Sequence, residues 1–151
     1  MSAESHKRSF RRFHEEVLLA GDFDAIDELV VDDVVSHNPL PGQAPGAAGL
    51  KAALREFRQA FPDLTSTATH LIAEGDLLAC RFTAHGSHQG VFMGLPPTGQ
   101  HFSYEEFVLV RFRAGKIAEH WAVADVMDMM SKMNAISWKS ALPSNPSEGQ
   151  P

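Results

Sequence analysis

Two runs of residues with strand character fill the segment from residue 101 to residue 124, which reads HFSYEEFVLVRFRAGKIAEHWAVA. Only Ala114 and Gly115 separate the runs His101–Arg113 and Lys116–Ala124, so the segment predicts an antiparallel hairpin. Because side chains alternate along a strand, one face of the second run carries small residues around an imidazole. The residues of that face are Ala118, His120, Ala122 and Ala124. This pattern predicts the wall of a cavity.

The remaining strands and helices are placed by working outward from this hairpin. Residues 64–73 and 77–85 flank Glu74-Gly75-Asp76 and predict another antiparallel hairpin. Residues 33–39 predict a short strand that ends at a proline. Apolar residues at helical spacing predict three helices before the hairpins. These cover residues 5–19, residues 23–29 with Asp22 as their cap, and a third segment carrying Leu50, Leu54, Phe57 and Phe61 that Pro62 ends.

A terminal helix is predicted after the last strand, where Met127, Met130, Met133 and Ile136 recur at helical spacing and are expected to pack on the core. Helices followed by a run of strands indicate an α+β fold with helices covering one face of a bent sheet. We expect one domain over residues 5–136 and a disordered tail over residues 143–151.

Composition excludes several classes of protein. The 151 residues are 44% apolar and 21% charged, which is typical of one globular domain. A net charge of -6 argues against nucleic acid as a partner, because binding phosphates requires clustered Lys and Arg. The single cysteine, Cys80, allows no internal disulfide, and no segment has the length and hydropathy of a secretion signal or a membrane span. We therefore expect a soluble cytoplasmic protein that binds no membrane.

Six short motifs in order resemble the SnoaL-like polyketide cyclase family. They are residues 21–29 (GDFDAIDEL), 33–39 (DVVSHNP), 61–64 (FPDL), 86–90 (GSHQG), 96–99 (PPTG) and 115–121 (GKIAEHW). The resemblance implies a cone-shaped α+β barrel, in which three N-terminal helices lean on a curved antiparallel sheet and enclose a pocket. It also implies a homodimer formed through the outer face of the sheet. Activities implied are cofactor-independent ring closure by aldol chemistry and a pathway role in hydroxylation.

The chain departs from the cyclases that it resembles at one position. Those enzymes carry an essential aspartate two residues after the histidine that corresponds to His120, and this chain has Ala122 there. Asp125 follows three residues later, either as the cap of the terminal helix or as an acid turned inward by a bend in the strand.

The other candidates for acid, base or binding groups are assigned from the strands that carry them. Glu106 shares a strand face with Tyr104, and a carboxyl group among aliphatic side chains would be protonated or paired with a cation. Glu105 is an equally good candidate for the inward position, because the register is unknown. Candidates for the catalytic groups are His120, Glu106 and Asp125, and those for substrate binding are His37, Asn38, Arg81, Tyr104 and Ala122.

Each candidate also has a structural interpretation. His120 could bond a strand carbonyl, His37 could cap the following loop, and Arg81 could pair with Glu106. His85 and His88 do not have the spacing of metal ligands, so no metal is expected.

Two hypotheses for function follow from these candidates, beside a third in which the protein is a structural dimer module whose pocket is collapsed or filled by aromatic side chains. In the first, the protein is an enzyme acting by acid and base catalysis on a hydrophobic carbonyl compound, without a cofactor. In the second, it binds a hydrophobic small molecule and performs no chemistry. The first predicts that His120 and Glu106 exchange a proton with the substrate.

Overall fold

The computed structural model describes residues 2–136 as helices packed on one curved, open, five-stranded sheet. Helix α1, Ala3–Arg12, continues into a π-helical segment, Phe13–Leu19. A 3₁₀ turn, Phe23–Ala25, leads into α2, Ile26–Leu29, and strand β1, Val30–Ser36. The remaining elements are α3 Gly46–Ala60, β2 Thr65–Glu74, β3 Leu77–Ser87, β4 His101–Arg113, β5 Lys116–Ala124 and α4 Val126–Lys132. The predicted tail, residues 143–151, lies outside the described residues.

The strands follow the order β1-β5-β4-β3-β2, and the α+β prediction is confirmed. The pairs β2–β3, β3–β4 and β4–β5 are antiparallel, as the two hairpins predict. The expectation of a wholly antiparallel sheet is wrong at one edge, where β1 pairs in parallel with β5. A parallel pair is joined by a long connection, so no local turn motif could predict its direction.

The core lies between the inner face of the sheet and the helices. Phe10, Phe13 and Val17 project from the first helix toward Phe82 and Val108 of the sheet. A second cluster around Phe61, Phe92 and Phe102 joins the end of α3 to the long connection between β3 and β4. The helices therefore cover only the inner face, and the outer face of the sheet carries no layer from the described part of the chain.

Some local predictions need correction. Strand β1 begins at Val30, three residues earlier than predicted. Asp22 makes no side-chain cap, and the Ala25 N–H donates instead to the backbone carbonyl of Asp22 at 3.3 Å. In α4, Met129 and Met133 are buried while Met127 is exposed, so the apolar stripe is shifted from the predicted one. Met129 and Met133 are four residues apart and therefore share the face that packs on the core.

Candidate functional site

A cavity of about 170 Å³ lies between the inner face of the sheet and the helices. Its sheet wall consists of Phe82, Tyr104, Glu106, Val108, His120, Ala122 and Ala124. Its helix wall includes Phe10, Phe13, His14, Leu18, Leu50, Ala53, Leu54 and Phe57. Leu40 and Val126 also line it and are partly exposed, so they mark its mouth. The volume is below the roughly 300 Å³ at which typical small-molecule pockets begin.

Glu106 is the carboxyl group that enters the cavity. Alternation along β4 places Glu106 on the inner face beside Tyr104 and Val108, whereas Glu105 lies on the outer face in an ion pair with Arg81. No other residue in 2–136 gives the Glu106 carboxyl group a hydrogen bond or an ion pair. Burial raises its pKa to about 7, so the group can take up or release a proton near neutral pH.

His120 stands on the neighbouring strand beside the small side chains of Ala122 and Ala124, which leave its ring open to the cavity. Burial, and to a lesser extent the nearby His37, lowers the pKa of the His120 imidazole to about 4. The ring is therefore neutral at physiological pH and offers one N–H donor and one acceptor. The bulged residue Ala118 is displaced from this face, because Glu119 pairs with Arg111 while Ile117 pairs with Phe112.

Tyr104 and Asn38 supply two further polar groups to the cavity. Burial, and to a lesser extent the nearby Glu106, raises the pKa of the Tyr104 phenol, so the hydroxyl group stays protonated and can donate. Asn38 accepts a hydrogen bond at Oδ1 from the backbone N–H of Ala122 at 3.2 Å. This contact fixes the side chain and leaves its amide N–H groups available as donors.

Three predicted site residues, Arg81, His37 and Asp125, do not line the cavity. Arg81 lies between Cys80 and Phe82, both of which face inward, so alternation turns it to the outer face and Glu105. His37 bonds Glu119 Oε1 through Nε2 at 3.1 Å and stacks on Trp121 with ring centroids 4.2 Å apart.

Asp125 serves as the cap of α4, where its carboxylate accepts a hydrogen bond from the Asp128 N–H at 3.1 Å. This agrees with the structural interpretation of Asp125, and the carboxylate does not line the cavity.

The structure adds one titratable residue that the sequence interpretation omitted, His14. It lies four residues after Phe10 and four before Leu18, on the apolar stripe of the first helix, and it lines the cavity with both of them. A polar residue at a core position of a helix was the available signal. Among residues 2–136, no cluster of three or more His, Cys, Asp or Glu side chains could hold a metal ion. The same described span contains no helix that is both long and apolar enough to cross a membrane.

The fold and the cavity define a class of small α+β proteins in which helices and the inner face of a curved sheet enclose a mostly apolar pocket. The chain belongs to the SnoaL-like polyketide cyclase family, whose model matches residues 8–133.

Individual relatives agree with this assignment. Over 100 residues the chain is 29% identical to the aklanonic acid methyl ester cyclase DauD of Streptomyces sp. strain C5. That match covers 63% of this chain and 58% of DauD. Among solved structures, IdmH of Streptomyces antibioticus superposes with a TM-score of 0.74 at 32% identity, covering 85% of this chain and 98% of IdmH. TsrD of Streptomyces laurentii gives a TM-score of 0.82 at 25% identity over 90% and 99% of the two chains.

Proposed function

We propose that the protein catalyses the closure of a carbon ring in a hydrophobic carbonyl compound, with Glu106 as the base. The observation that carries this proposal is the Glu106 carboxyl group, which faces an apolar cavity, has no partner among residues 2–136 and has its pKa raised by burial to about 7. A base is most effective when its pKa lies near the working pH. Membership in the cyclase family supports this reaction class.

The proposed reaction is an intramolecular aldol addition that balances without a cofactor. The carboxylate of Glu106 takes a proton from the carbon next to a substrate carbonyl, and the resulting enolate oxygen accepts hydrogen bonds from Tyr104 or neutral His120. The enolate carbon attacks a second carbonyl carbon of the same molecule, forming the new bond. The alkoxide that results takes back the proton from Glu106, which regenerates the carboxylate. Neutral donors suit this task, since they stabilise the developing charge without titrating.

We propose further that Glu106 performs the role that the family resemblance gives to an aspartate at the position of Ala122. Ala122 and Glu106 both line the cavity from neighbouring antiparallel strands, with Val108 paired opposite Ala122. The backbone of Glu106 on β4 is therefore close to the backbone position on β5 from which the family's aspartate would extend. Removal of the second carboxyl group leaves Glu106 without a like charge that would compete for the proton.

The substrate class follows from the relatives and from the cavity. DauD is named for aklanonic acid methyl ester, and we propose that this chain also takes a polyketide carbonyl compound. A cavity of about 170 Å³ encloses only part of a polycyclic molecule. The reacting carbonyls would lie inside, and the rest of the substrate would extend past Leu40 and Val126 at the mouth.

The direct test compares Glu106→Gln with Glu105→Gln on aklanonic acid methyl ester, with ring closure followed by liquid chromatography and mass spectrometry. We expect Glu106→Gln to lower kcat by about 100-fold or more, the usual contribution of a general base. The matched variant Glu105→Gln changes a neighbouring carboxylate on the outer face and should retain the wild-type rate. In wild type kcat/KM should rise with pH and level off above pH 7, because the reaction needs the carboxylate form of Glu106.

Two results would contradict the proposal. Wild-type turnover by Glu106→Gln would remove this carboxylate from the mechanism. Tight binding of the ester without ring closure, and without exchange of its acidic C–H protons into D₂O, would instead support the ligand-binding hypothesis.

We also propose that the protein is a homodimer that pairs through the outer face of the sheet. Phe107 is 59% exposed and Val123 is 67% exposed, and they are paired across β4 and β5. Leu109 and Trp121 form the adjacent cross-strand pair. Large apolar side chains grouped on one face are typical of an interface, and the described helices cover only the opposite face.

The dimer is tested by sedimentation velocity on the double variant Phe107→Glu/Val123→Glu. We expect wild type to sediment as a dimer and the double variant as a monomer, because charges buried in an apolar interface are costly. Val91→Glu, which changes a residue that is 65% exposed on a loop, should leave the dimer intact. A monomeric wild-type protein at micromolar concentration would disprove the proposal.

A further inference from the structure

His14 is a buried histidine on the helix wall of the cavity, opposite the sheet that carries Glu106. Only 7% of the residue is exposed, and its ring packs on Phe82 with centroids 5.2 Å apart. Phe82 on β3 is the direct cross-strand partner of Glu106 on β4. The imidazole therefore covers the position next to the carboxyl group and faces the cavity from the other side.

One nitrogen of the His14 ring is held by the protein. Nε2 lies 2.9 Å from the hydroxyl oxygen of Ser66 on β2, in a surface groove that Phe10 and His14 separate from the cavity. Burial lowers the pKa of the imidazole, so the ring is neutral near pH 7 and carries one proton. Because a serine hydroxyl group can rotate to donate or to accept, the proton can sit on either ring nitrogen.

The other nitrogen, Nδ1, has no hydrogen-bond partner among residues 2–136. Nδ1 of His6 also lacks a partner, but that atom is sealed inside the protein. Because Nε2 already bonds Ser66, Nδ1 is the atom of the ring that can form a hydrogen bond with a bound molecule. It can donate to a carbonyl oxygen or accept from a hydroxyl group, depending on the orientation of the Ser66 hydroxyl.

We propose that His14 is a substrate-binding residue whose Nδ1 forms a hydrogen bond with an oxygen atom of the bound molecule. The inference deepens the proposed function, because it requires that the cavity hold an oxygenated guest. Glu106, Tyr104 and His120 contact the guest from the sheet, and His14 contacts it from the helix. A molecule bound from both walls is fixed in orientation, which places the same carbon above Glu106 in each turnover.

His6 provides a matched control for this proposal. It lies eight residues before His14 in the first helix, is 5% exposed, and stacks on Phe112 with centroids 4.2 Å apart. Both histidines are thus buried and packed against a phenylalanine of the sheet, but only His14 lines the cavity. Replacement of either ring by phenylalanine keeps the aromatic packing and removes the nitrogens.

The test uses two probes of similar size, 1-hydroxy-2-acetonaphthone and the hydrocarbon 2-isopropylnaphthalene, with dissociation constants measured by equilibrium dialysis. His14→Phe should weaken binding of the hydroxyketone about tenfold, the usual effect of one lost hydrogen bond, and leave the hydrocarbon within about twofold. His6→Phe should leave both constants unchanged. Equal effects of His14→Phe on the two probes, or no effect on either, would overturn the proposal, as would a wild-type protein that does not prefer the hydroxyketone.

A second measurement, made on wild-type protein, tests the proposal if the His14→Phe variant fails to fold. In wild-type protein labelled with ¹⁵N in its histidine rings, the Nδ1 resonance of His14 should shift on addition of the hydroxyketone, while the His6 resonances should not. An unchanged His14 resonance at saturation would overturn the proposal. The outcome is separable from that of the proposed reaction, because these experiments measure binding, whereas the Glu106→Gln comparison measures turnover.

Discussion

Glu105 and Glu106 are adjacent carboxylates on β4 that lie on opposite faces of the sheet, one in solvent and one in the cavity. Glu105 points outward, is half exposed and pairs with Arg81. Glu106 points inward, lines the cavity and has no protein partner within residues 2–136. The outer carboxylate is satisfied by a neighbouring strand and by water. The inner carboxylate is left with a burial cost that only a proton or a ligand can offset.

The difference shows how one strand can serve stability on one face and chemistry on the other. A paired, solvated carboxylate is a poor base because its charged form is already stabilised, whereas a desolvated one holds its proton to higher pH. His120, Tyr104 and Asn38 line the same cavity as Glu106. The outer face instead carries ion pairs around a group of exposed apolar residues.

The largest effect that we expect from this difference is an increase in the free energy of unfolding when the inner carboxylate is removed. Burial raises the pKa of Glu106 from 4.5 to about 7, so the unfolded chain releases this proton at lower pH than the native protein does. The native protein therefore loses stability as the pH rises from about 4.5 through 7. The loss reaches about 3 kcal/mol above pH 7. Glu106→Gln should abolish it, so urea unfolding should show the variant about 3 kcal/mol more stable at pH 8 and similar to wild type at pH 4.5.

Glu105→Gln is the control for that measurement, since a half-exposed carboxylate should give no comparable gain at pH 8. His120 acts in the opposite direction, because its lowered pKa makes the native protein less stable as the pH falls from 6.5 toward 4. Each variant is therefore compared with wild type at the same pH and protein concentration, where the His120 contribution cancels. An equal stability of wild type and Glu106→Gln at pH 8 would show that the inner carboxylate is not desolvated.

Much of the fold was predictable because its signals are local. The bounds of β4 and β5 are those predicted, since both strands alternate and only Ala114 and Gly115 separate them. Ala114 and Gly115 both adopt positive φ, as a tight turn requires. The parallel pairing of β1 with β5 was not predictable, because it joins residues about 85 positions apart in the sequence, such as Val35 and Glu119.

The site was predictable where the phase of a strand was known. The sequence named Tyr104, His120, Ala122 and Asn38, which all line the cavity, but it left open whether Glu105 or Glu106 faces inward. The prediction that Arg81 faces the cavity was wrong because the phase of β3 was not assigned, although apolar Cys80 and Phe82 on either side require Arg81 to point outward. His14 was missed because its helix was interpreted from apolar residues alone.

The smallest effect concerns the outer ion pair. Arg81→Met keeps an apolar stem of similar length and removes the charge that pairs with Glu105. Both partners are substantially exposed to solvent, at 34% and 52%, so the pair should contribute no more than roughly 1 kcal/mol at low salt. Urea unfolding of Arg81→Met at low ionic strength should therefore show a loss within that limit, and 1 M NaCl should reduce it because salt screens exposed charges.

Ring closure by Arg81→Met should continue at the wild-type rate, since Arg81 does not reach the cavity. A loss of several kcal/mol that salt does not reduce would mean that the outer carboxylate depends on its partner as strongly as a buried group does, and the contrast between the two faces would then be wrong.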